Sequence, residues 1–164
     1  MTESPGVLFE RLLDIMARLR GPDGCPWDRE QTRTSLKPYV IEEAYEVLEA
    51  IEAGDARAFE AELGDLLFQV VFHARLAEEA GEFAMAGLLR RLIDKMVSRH
   101  PHVFGDASVT TSKEVLAQWE AIKQREAEAS GQPRSVIDGV PRSRPSLLRA
   151  QRLQAKAARV NFDW

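Results

Sequence analysis

Two groups of acidic residues have types and spacing that could carry chemistry. The first group is Glu42, Glu43 and Glu46, and the second is Glu62 and Asp65. On a helix, residues three or four positions apart lie on one face, so each group would hold its carboxylates side by side. Like charges at these spacings destabilise an exposed helix by about 0.2–0.5 kcal/mol per pair. A solvated acidic face and a cation site are the two interpretations.

The residues around the second acidic group are strongly apolar. They are Leu63, Leu66, Leu67, Phe68, Val70, Val71 and Phe72. They occupy nearly the whole circumference of a helix, and a helix that is apolar all round is typical of a protein core. We therefore expect Glu62 and Asp65 to be buried, on a face shared with Gln69 and His73. A buried carboxylate must be protonated, paired or bound to a cation, and ion pairing with another helix is the alternative to metal binding.

The two acidic groups should lie on the two arms of a helical hairpin. One helix is predicted to begin near Pro38 and to end at Gly54, and the next to begin after the N-cap Asp55 and to end near Ala80. Because the connection is so short, the two helices should be antiparallel neighbours. At a rise of about 1.5 Å per residue, both groups lie roughly 12–15 Å from the turn. Their carboxylates should therefore converge.

Converging carboxylates predict a hard divalent cation. Two unit charges about 4 Å apart repel by about 4 kcal/mol at an effective dielectric constant of 20, and a cation between them relieves that repulsion. A ligand set made only of oxygen suits Mg²⁺, or Mn²⁺ in its place. Because Mg²⁺ usually keeps waters and bridges to phosphate oxygens, we expect a phosphate-bearing substrate.

The rest of the sequence predicts an all-α helical bundle. Helical periodicity extends through the chain, and no segment alternates convincingly as a strand does. Residues 24–28 should form an ordered loop, and Thr111 and Glu114 match a capping box. Glycine and proline residues in 129–145 predict a linker or mobile loop. We therefore expect a catalytic helical domain at 1–128, this linker, and a basic C-terminal helix and tail at 146–164.

The composition of the chain is typical of a cytoplasmic protein. Its 164 residues are 45% hydrophobic, which is enough for a domain with a core. The formal net charge of -4 argues against a nucleic-acid partner, and we expect the basic tail to be solvated or to contact a second copy. Cys25 is the one cysteine, as in a reducing compartment. No apolar run suits a membrane span or a secretion signal.

These motifs resemble the MazG family of nucleoside triphosphate pyrophosphohydrolases. The resemblance rests on the two acidic groups and on the segments 24–28 (GCPWD), 64–68 (GDLLF) and 100–104 (HPHVF). It extends from about residue 8 to the C-terminus and is to the first domain of two-domain members. It implies an α-helical fold and a homodimer or higher homo-oligomer. It also implies Mg²⁺-dependent hydrolysis of a nucleoside triphosphate to the monophosphate and pyrophosphate.

The resemblance also implies roles for individual residues. The metal ligands would be Glu43, Glu46, Glu62 and Asp65. Glu42 would be an accessory acid, and Glu42 or Glu46 would be the base for a water that attacks the α-phosphorus. The substrate-binding residues would be Lys95, Arg99, Trp119 and Lys123, with Trp27 closing over the base. The family can place a basic residue one turn before Glu62, where this sequence has Ala58.

The acidic groups have two other interpretations. Larger family members carry two such domains, so this chain could be a non-catalytic dimerisation or regulatory module of a longer protein. Its last residues, 160–164, resemble the lead-in to a second domain. A ferritin-like di-iron bundle would need histidines three residues after glutamates of the two groups. The sequence has none at those positions.

Overall fold

A computed structural model describes residues 3–131, 135, 137–159 and 162. These residues include helices and no strand, which confirms the all-α prediction. They fall into two compact units, Met1–Asp94 and Lys95–Trp164. No helix in the described ranges is long and apolar enough to cross a membrane. Residues 132–134 and 136 of the predicted linker and 160, 161, 163 and 164 of the predicted tail lie outside the described residues. The division into catalytic domain, linker and tail stays a prediction.

Within the described residues, five helices begin in the first unit, and two of them are the helices of the predicted hairpin. Their bounds are α1 Pro5–Leu19, α2 Pro26–Glu30, α3 Lys37–Ala53, α4 Ala56–Glu79 and α5 Met85–Arg99. The boundary between the units falls inside α5. Helix α1 begins where the Ser4 hydroxyl accepts the Val7 N–H at 3.4 Å. Local signals of this kind, a capping oxygen and a proline in the first turn, fix helix starts.

The prediction of a loop over residues 24–28 is wrong from Pro26 onward, where α2 begins. Proline suits the first position of a helix, since its missing N–H has no partner there in any case. Gly24 precedes it at a close approach of the backbone, where a Cβ would lie 2.1 Å from the Leu19 carbonyl oxygen. The Cys25 N–H donates to that same oxygen at 2.8 Å. The segment is therefore a tight turn that leads into a short helix.

The core of the first unit covers only part of the hairpin. Its buried members are Met16, Leu36, Val71, Phe72, Ala74 and Met85. In the first half of α4, by contrast, Leu63 and Leu67 are 43% and 42% exposed. On α3, Ile41 and Leu48 are exposed as well. The expectation that α4 is buried all round is therefore wrong, since apolar residues of its first half remain exposed within this unit.

The second unit contains the end of α5 and three more helices. They are α6 Pro101–Phe104, α7 Ser112–Ala129 and α8 Ser146–Ala158. The predicted capping box is confirmed, since the Thr111 hydroxyl accepts the Glu114 N–H at 3.3 Å and the Glu114 carboxylate accepts the Thr111 N–H at 3.2 Å. Hydrogen bonds from the backbone of Thr110 and Thr111 lower the pKa of Glu114.

A nearly buried arginine joins three elements of the first unit. The Arg20 side chain is 8% exposed, and its guanidinium pairs with Glu79 at 2.7 Å. It also donates to the backbone carbonyls of Asp28 and Gln31, and it lies over the Phe72 ring at 5.4 Å. The hydrogen bonds from Arg20 lower the pKa of Glu79 below its usual range. Arg20 thus ties the end of α1 and the α2 segment to α4.

We predict that Arg20→Leu lowers the free energy of unfolding by about 2–3 kcal/mol, since two backbone carbonyls lose a charged donor. The matched control is Arg33→Leu. Arg33 pairs with Glu82 at the same 2.7 Å, but the two side chains are 43% and 49% exposed. An exposed pair contributes about 1 kcal/mol or less. Urea denaturation of both variants measures the difference, and equal losses would contradict the role given to burial.

Candidate metal centre

The α3–α4 hairpin that sequence spacing predicts is present. Gly54 ends α3 in the left-handed region, with φ at 68°, a conformation that glycine adopts without strain. Asp55 then caps α4, as its carboxylate accepts the N–H groups of Arg57 and Ala58 at 2.9 and 3.2 Å. The connection between the helices is therefore two residues long, and α3 and α4 pack directly against each other.

Three acidic side chains from the two arms of the hairpin converge. Glu43 on α3 and Glu62 and Asp65 on α4 each offer a carboxylate oxygen, and these three atoms lie within 4.8 Å of one another. We call these residues the acidic triad. Glu43 and Glu62 are half-buried and Asp65 is exposed. The triad therefore lies at the surface of the hairpin in the first unit, and the expectation that Glu62 and Asp65 are buried in a core is wrong.

Repulsion inside the triad is visible in the proton affinities of its members. Partial burial and the carboxylates of Glu46 and Asp65 raise the pKa of Glu43, and hydrogen bonding of its protonated form to Glu46 raises it further. Partial burial and the same two carboxylates raise the pKa of Glu62. Because each charge makes the others harder to form, the arrangement favours a bound cation over four free carboxylates.

The geometry of the triad fits a divalent cation. Two oxygens that share one ion can be no further apart than twice the metal–oxygen distance, which is about 4.2 Å for Mg²⁺ and about 5 Å for Ca²⁺. The 4.8 Å limit in the triad lies inside this range, and Mg²⁺ needs side-chain movements of only about half an ångström. The donors are all carboxylate oxygens, the ligands of a hard ion.

Of the other residues predicted for the site, Glu46, Glu42 and Trp27 belong to the first unit. Glu46 lies outside the triad, but it acts electrostatically on both Glu43 and Glu62. Glu42 is exposed and also raises the pKa of Glu43. The ring of Trp27 is 50% exposed and meets Tyr39 edge to face at 6.1 Å. Tyr39 lies four residues before Glu43, which places it on the same face of α3.

The predicted phosphate-binding residues belong to the second unit, where they surround one carboxylate. Arg99 pairs with Glu126 at 2.6 Å. Arg99, Lys95 and Lys123 together lower the pKa of Glu126, with the Arg99 hydrogen bond as the largest cause. Lys123 also pairs with Glu120 at 3.1 Å. Sequence reasoning missed both glutamates, although Glu120 and Lys123 stand at the i,i+3 spacing of a helical ion pair.

Trp119 belongs to an aromatic group in the second unit. Its ring lies 5.7 Å from the ring of His100, which in turn lies 5.6 Å from that of His102. His102 Nδ1 shares a hydrogen bond with the Gln118 side chain at 3.0 Å. The indole Nε1 of Trp119 is buried and has no hydrogen-bond partner within the described residues. The sequence motifs pointed to Trp119 as a substrate-binding residue, but they gave no sign of this unsatisfied donor.

Comparison with known families decides what this hairpin is. Residues 31–104 match the family model of the MazG nucleotide pyrophosphohydrolase domain. The chain belongs to the MazG family. The matched segment contains α3, α4 and both acidic groups, so the MazG domain and the candidate metal centre coincide. The resemblance stated from the sequence motifs is confirmed.

Individual MazG relatives are similar over most of this chain. The nucleoside triphosphate pyrophosphohydrolase of Escherichia coli K12 is 52% identical over 95% of the chain and 59% of its own length. The nucleoside triphosphate pyrophosphohydrolase/pyrophosphatase MazG of Thermotoga maritima is 47% identical over 97% of the chain and 60% of its own length. The chain thus spans about three fifths of these curated relatives.

A solved structure also resembles this chain. The crystal structure of a MazG-related protein from Thermotoga maritima matches 70% of the chain and 97% of its own length, with a TM-score of 0.59 and 28% identity. The helical fold of the described residues therefore agrees with that of a MazG-related protein.

We predict that Glu43→Gln raises the stability of the metal-free protein at pH 7. The folded-state pKa of Glu43 lies above its ordinary value of 4.5, so the folded protein binds this proton more tightly than the unfolded chain does. Stability should therefore fall as the pH rises from about 4.5 through the folded-state pKa, and the amide should remove the part of that fall that Glu43 contributes. Thermal unfolding in EDTA between pH 4 and pH 8 measures this.

The matched control for this measurement is Glu60→Gln. Glu60 is an exposed glutamate of α4 and lies outside the triad. The control should leave the pH dependence of unfolding unchanged. A parallel gain of stability in Glu43→Gln and Glu60→Gln would show that general acidity, and not the triad, sets the trend.

Proposed function

We propose that this protein hydrolyses nucleoside triphosphates to the nucleoside monophosphate and pyrophosphate with Mg²⁺. The observation that carries the proposal is the convergence of three carboxylates inside the segment that matches the MazG nucleotide pyrophosphohydrolase domain. The relatives from Escherichia coli and Thermotoga maritima bear the corresponding activity in their names. Because the chain spans only about three fifths of them, the activity is proposed for this chain in its own right.

The acidic triad, with Glu46 beside it, would hold the metal. A bound divalent cation supplies positive charge that stabilises the charge developing on a leaving pyrophosphate. Only the carboxylate forms of Glu43 and Glu62 are metal ligands, so protons compete with a cation for these groups. The raised pKa values of both residues make metal affinity increase with pH.

Glu46 or Glu42 would serve as the base. Both carboxyl groups are exposed on α3 next to Glu43, so a water can reach them. Glu46 lies close enough to Glu43 to raise its pKa, which places a candidate base beside the triad. The base accepts a proton from the water as its oxygen attacks the α-phosphorus.

Cationic and aromatic side chains would bind the nucleotide. In the second unit, Lys95, Arg99 and Lys123 would neutralise the phosphates, a role supported by their grouping around Glu126. A phosphate group there would replace the Glu126 carboxylate as the partner of Arg99. Trp119 and Trp27 would contact the nucleoside. Trp27 has an exposed ring beside Tyr39, one turn from Glu43.

We propose a homodimer, because the hairpin leaves apolar residues exposed. On α3, Ile41, Leu48 and Ile51 are all more than half exposed, and Leu63 and Leu67 are exposed on α4. Contiguous apolar surface of this kind usually marks a protein–protein interface. A second copy that covers it would also exclude water from the neighbouring triad.

We predict that Glu43→Gln and Asp65→Asn each lower kcat with Mg²⁺ by roughly 100-fold or more, since each removes a metal ligand without removing bulk. Pyrophosphate release from a triphosphate measures this, and circular dichroism checks that the helices remain. Glu60→Gln is the matched control and should keep its activity. Turnover that survives in both variants would refute the metal assignment.

We predict that hydrolysis in ¹⁸O-labelled water places the label in the monophosphate, because the water attacks the α-phosphorus. Mass spectrometry of the two products locates the label. Label in pyrophosphate would contradict the proposed point of attack.

If the wild-type protein releases no pyrophosphate from any triphosphate, the chain is instead a non-catalytic dimerisation or regulatory module.

We predict that the wild-type protein elutes at twice the monomer mass of 18.4 kDa and that the double variant Leu48→Glu/Ile51→Glu elutes as a monomer. Two buried charges without partners would be too costly to keep at an apolar interface. Multi-angle light scattering after gel filtration measures the mass. The control Val103→Glu changes an exposed apolar residue of α6 and should remain dimeric. A monomeric wild type would overturn the proposed dimer.

A further inference from the structure

An apolar groove lies along the hairpin in the first unit. It has a volume of about 350 Å³. The residues that line it include Val40, Leu66, Gln69, Val70, His73 and Phe83. Small-molecule sites are typically of about 300–1,000 Å³, with mostly apolar walls and a few polar groups. The groove has this character, and the reaction proposed above makes no use of it.

The groove begins one helical turn from the acidic triad on both arms of the hairpin. On α3, Val40 lies three residues before Glu43, and on α4, Gln69 lies four residues after Asp65. Residues at these spacings share a helix face. The rise over four residues is about 6 Å, which is close to the reach of one ribose unit. A nucleotide whose phosphates lie at the triad can therefore place its base in the groove.

Gln69 is a polar residue of this groove whose side chain has an unpaired hydrogen-bond acceptor. Its side chain is 7% exposed, and its Oε1 atom has no hydrogen-bond partner within the described residues. A buried amide oxygen without a partner destabilises a folded protein, so its place in an apolar wall points to a partner that arrives with a ligand. A carboxamide carries an acceptor and two donors in one plane, and this pattern pairs with the edge of a nucleobase.

His73 is the next polar residue along the same face of α4. It lies four residues after Gln69 and lines the groove too. Burial and the nearby charge of Arg33 lower the pKa of His73, so its ring is neutral at pH 7 and can donate or accept a hydrogen bond. Gln69 and His73 are thus neutral hydrogen-bonding groups. Arg33, the charged residue of the lining, is paired with Glu82, so the groove suits a base better than a phosphate.

We propose that this groove binds the base of the nucleoside triphosphate and that the Gln69 carboxamide selects the base through hydrogen bonds to its edge. The inference rests on the proposed function, because phosphates held at the triad bring the base to the groove. Val40, Val70 and Phe83 provide apolar surface for the faces of the ring. Gln69 contacts the base and not the reacting phosphate, so it determines specificity and takes no part in the chemical step.

The test compares base preference in Gln69→Met and in wild type. Methionine keeps the length of the side chain and removes its hydrogen bonds. We expect the ratio of kcat/KM between the best and the poorest of ATP, GTP, CTP and UTP to fall about tenfold or more. The melting temperature should not fall, since an unsatisfied buried amide is lost. The matched control is Gln151→Met, at an exposed glutamine of α8, which should keep the wild-type ratio.

Further variants keep the test decisive. Gln69→Glu replaces the donors by acceptors and should reorder the four bases, which gives a readout even if the methionine variant fails to fold. An unchanged ratio in a folded Gln69 variant, or an equal loss on all four triphosphates, would overturn the proposal. The same holds if Trp27→Ala changes the ranking of bases and the Gln69 variants do not.

Failure of the proposed function can be told apart from failure of this inference. If the wild-type protein hydrolyses no triphosphate, the proposed function is wrong, and the groove is then tested with nucleosides alone. Saturation-transfer NMR with adenosine, guanosine, cytidine and uridine needs neither metal nor turnover. Binding that is lost in Gln69→Met supports the groove, and no binding to the wild-type protein overturns it.

Discussion

Repulsion between carboxylates that a hairpin holds together is the constraint on which the first unit depends. Gly54 and Asp55 make the turn so short that Glu43 and the α4 acids must face one another. The raised pKa values of Glu43 and Glu62 reflect the free-energy cost of this repulsion in the metal-free protein. The rest of the unit must offset this cost, and the Arg20 network and the apolar core at the far half of α4 do so.

The two halves of helix α4 differ in burial and in role. Its first half carries two acids of the triad and remains exposed, while Val71, Phe72 and Ala74 in its second half are buried. Gln69 lies where the two halves meet, with its amide oxygen buried and unpaired. Stability in the first unit is thus concentrated away from the site, and the unpaired Gln69 amide oxygen lies near it. This is the usual distribution when a site gives up local stability for binding.

In the second unit, three cationic side chains are grouped around one carboxylate, that of Glu126. Lys95, Arg99 and Lys123 would repel one another if no anion stood among them, and Glu126 supplies the anion in the protein by itself. Arg99 is thereby held in one position before any phosphate arrives. Such preorganisation lowers the entropy cost of binding a charged ligand. The carboxylate is also a competitor that a phosphate must replace, so the affinity for phosphate depends on the difference between the two partners.

The sequence by itself determined the long helices of the hairpin, the turn between them and the set of converging acids. Periodicity, the Asp55 cap and the Gly54 turn act over a few residues, so these features follow from local spacing. Only the tertiary structure decided what is buried, because burial depends on which distant elements cover a face. It left Leu63 and Asp65 exposed, paired Arg20 with Glu79 across 59 positions, and set Glu126 beside Arg99. Contacts between residues so far apart in the chain leave no periodic trace in the sequence.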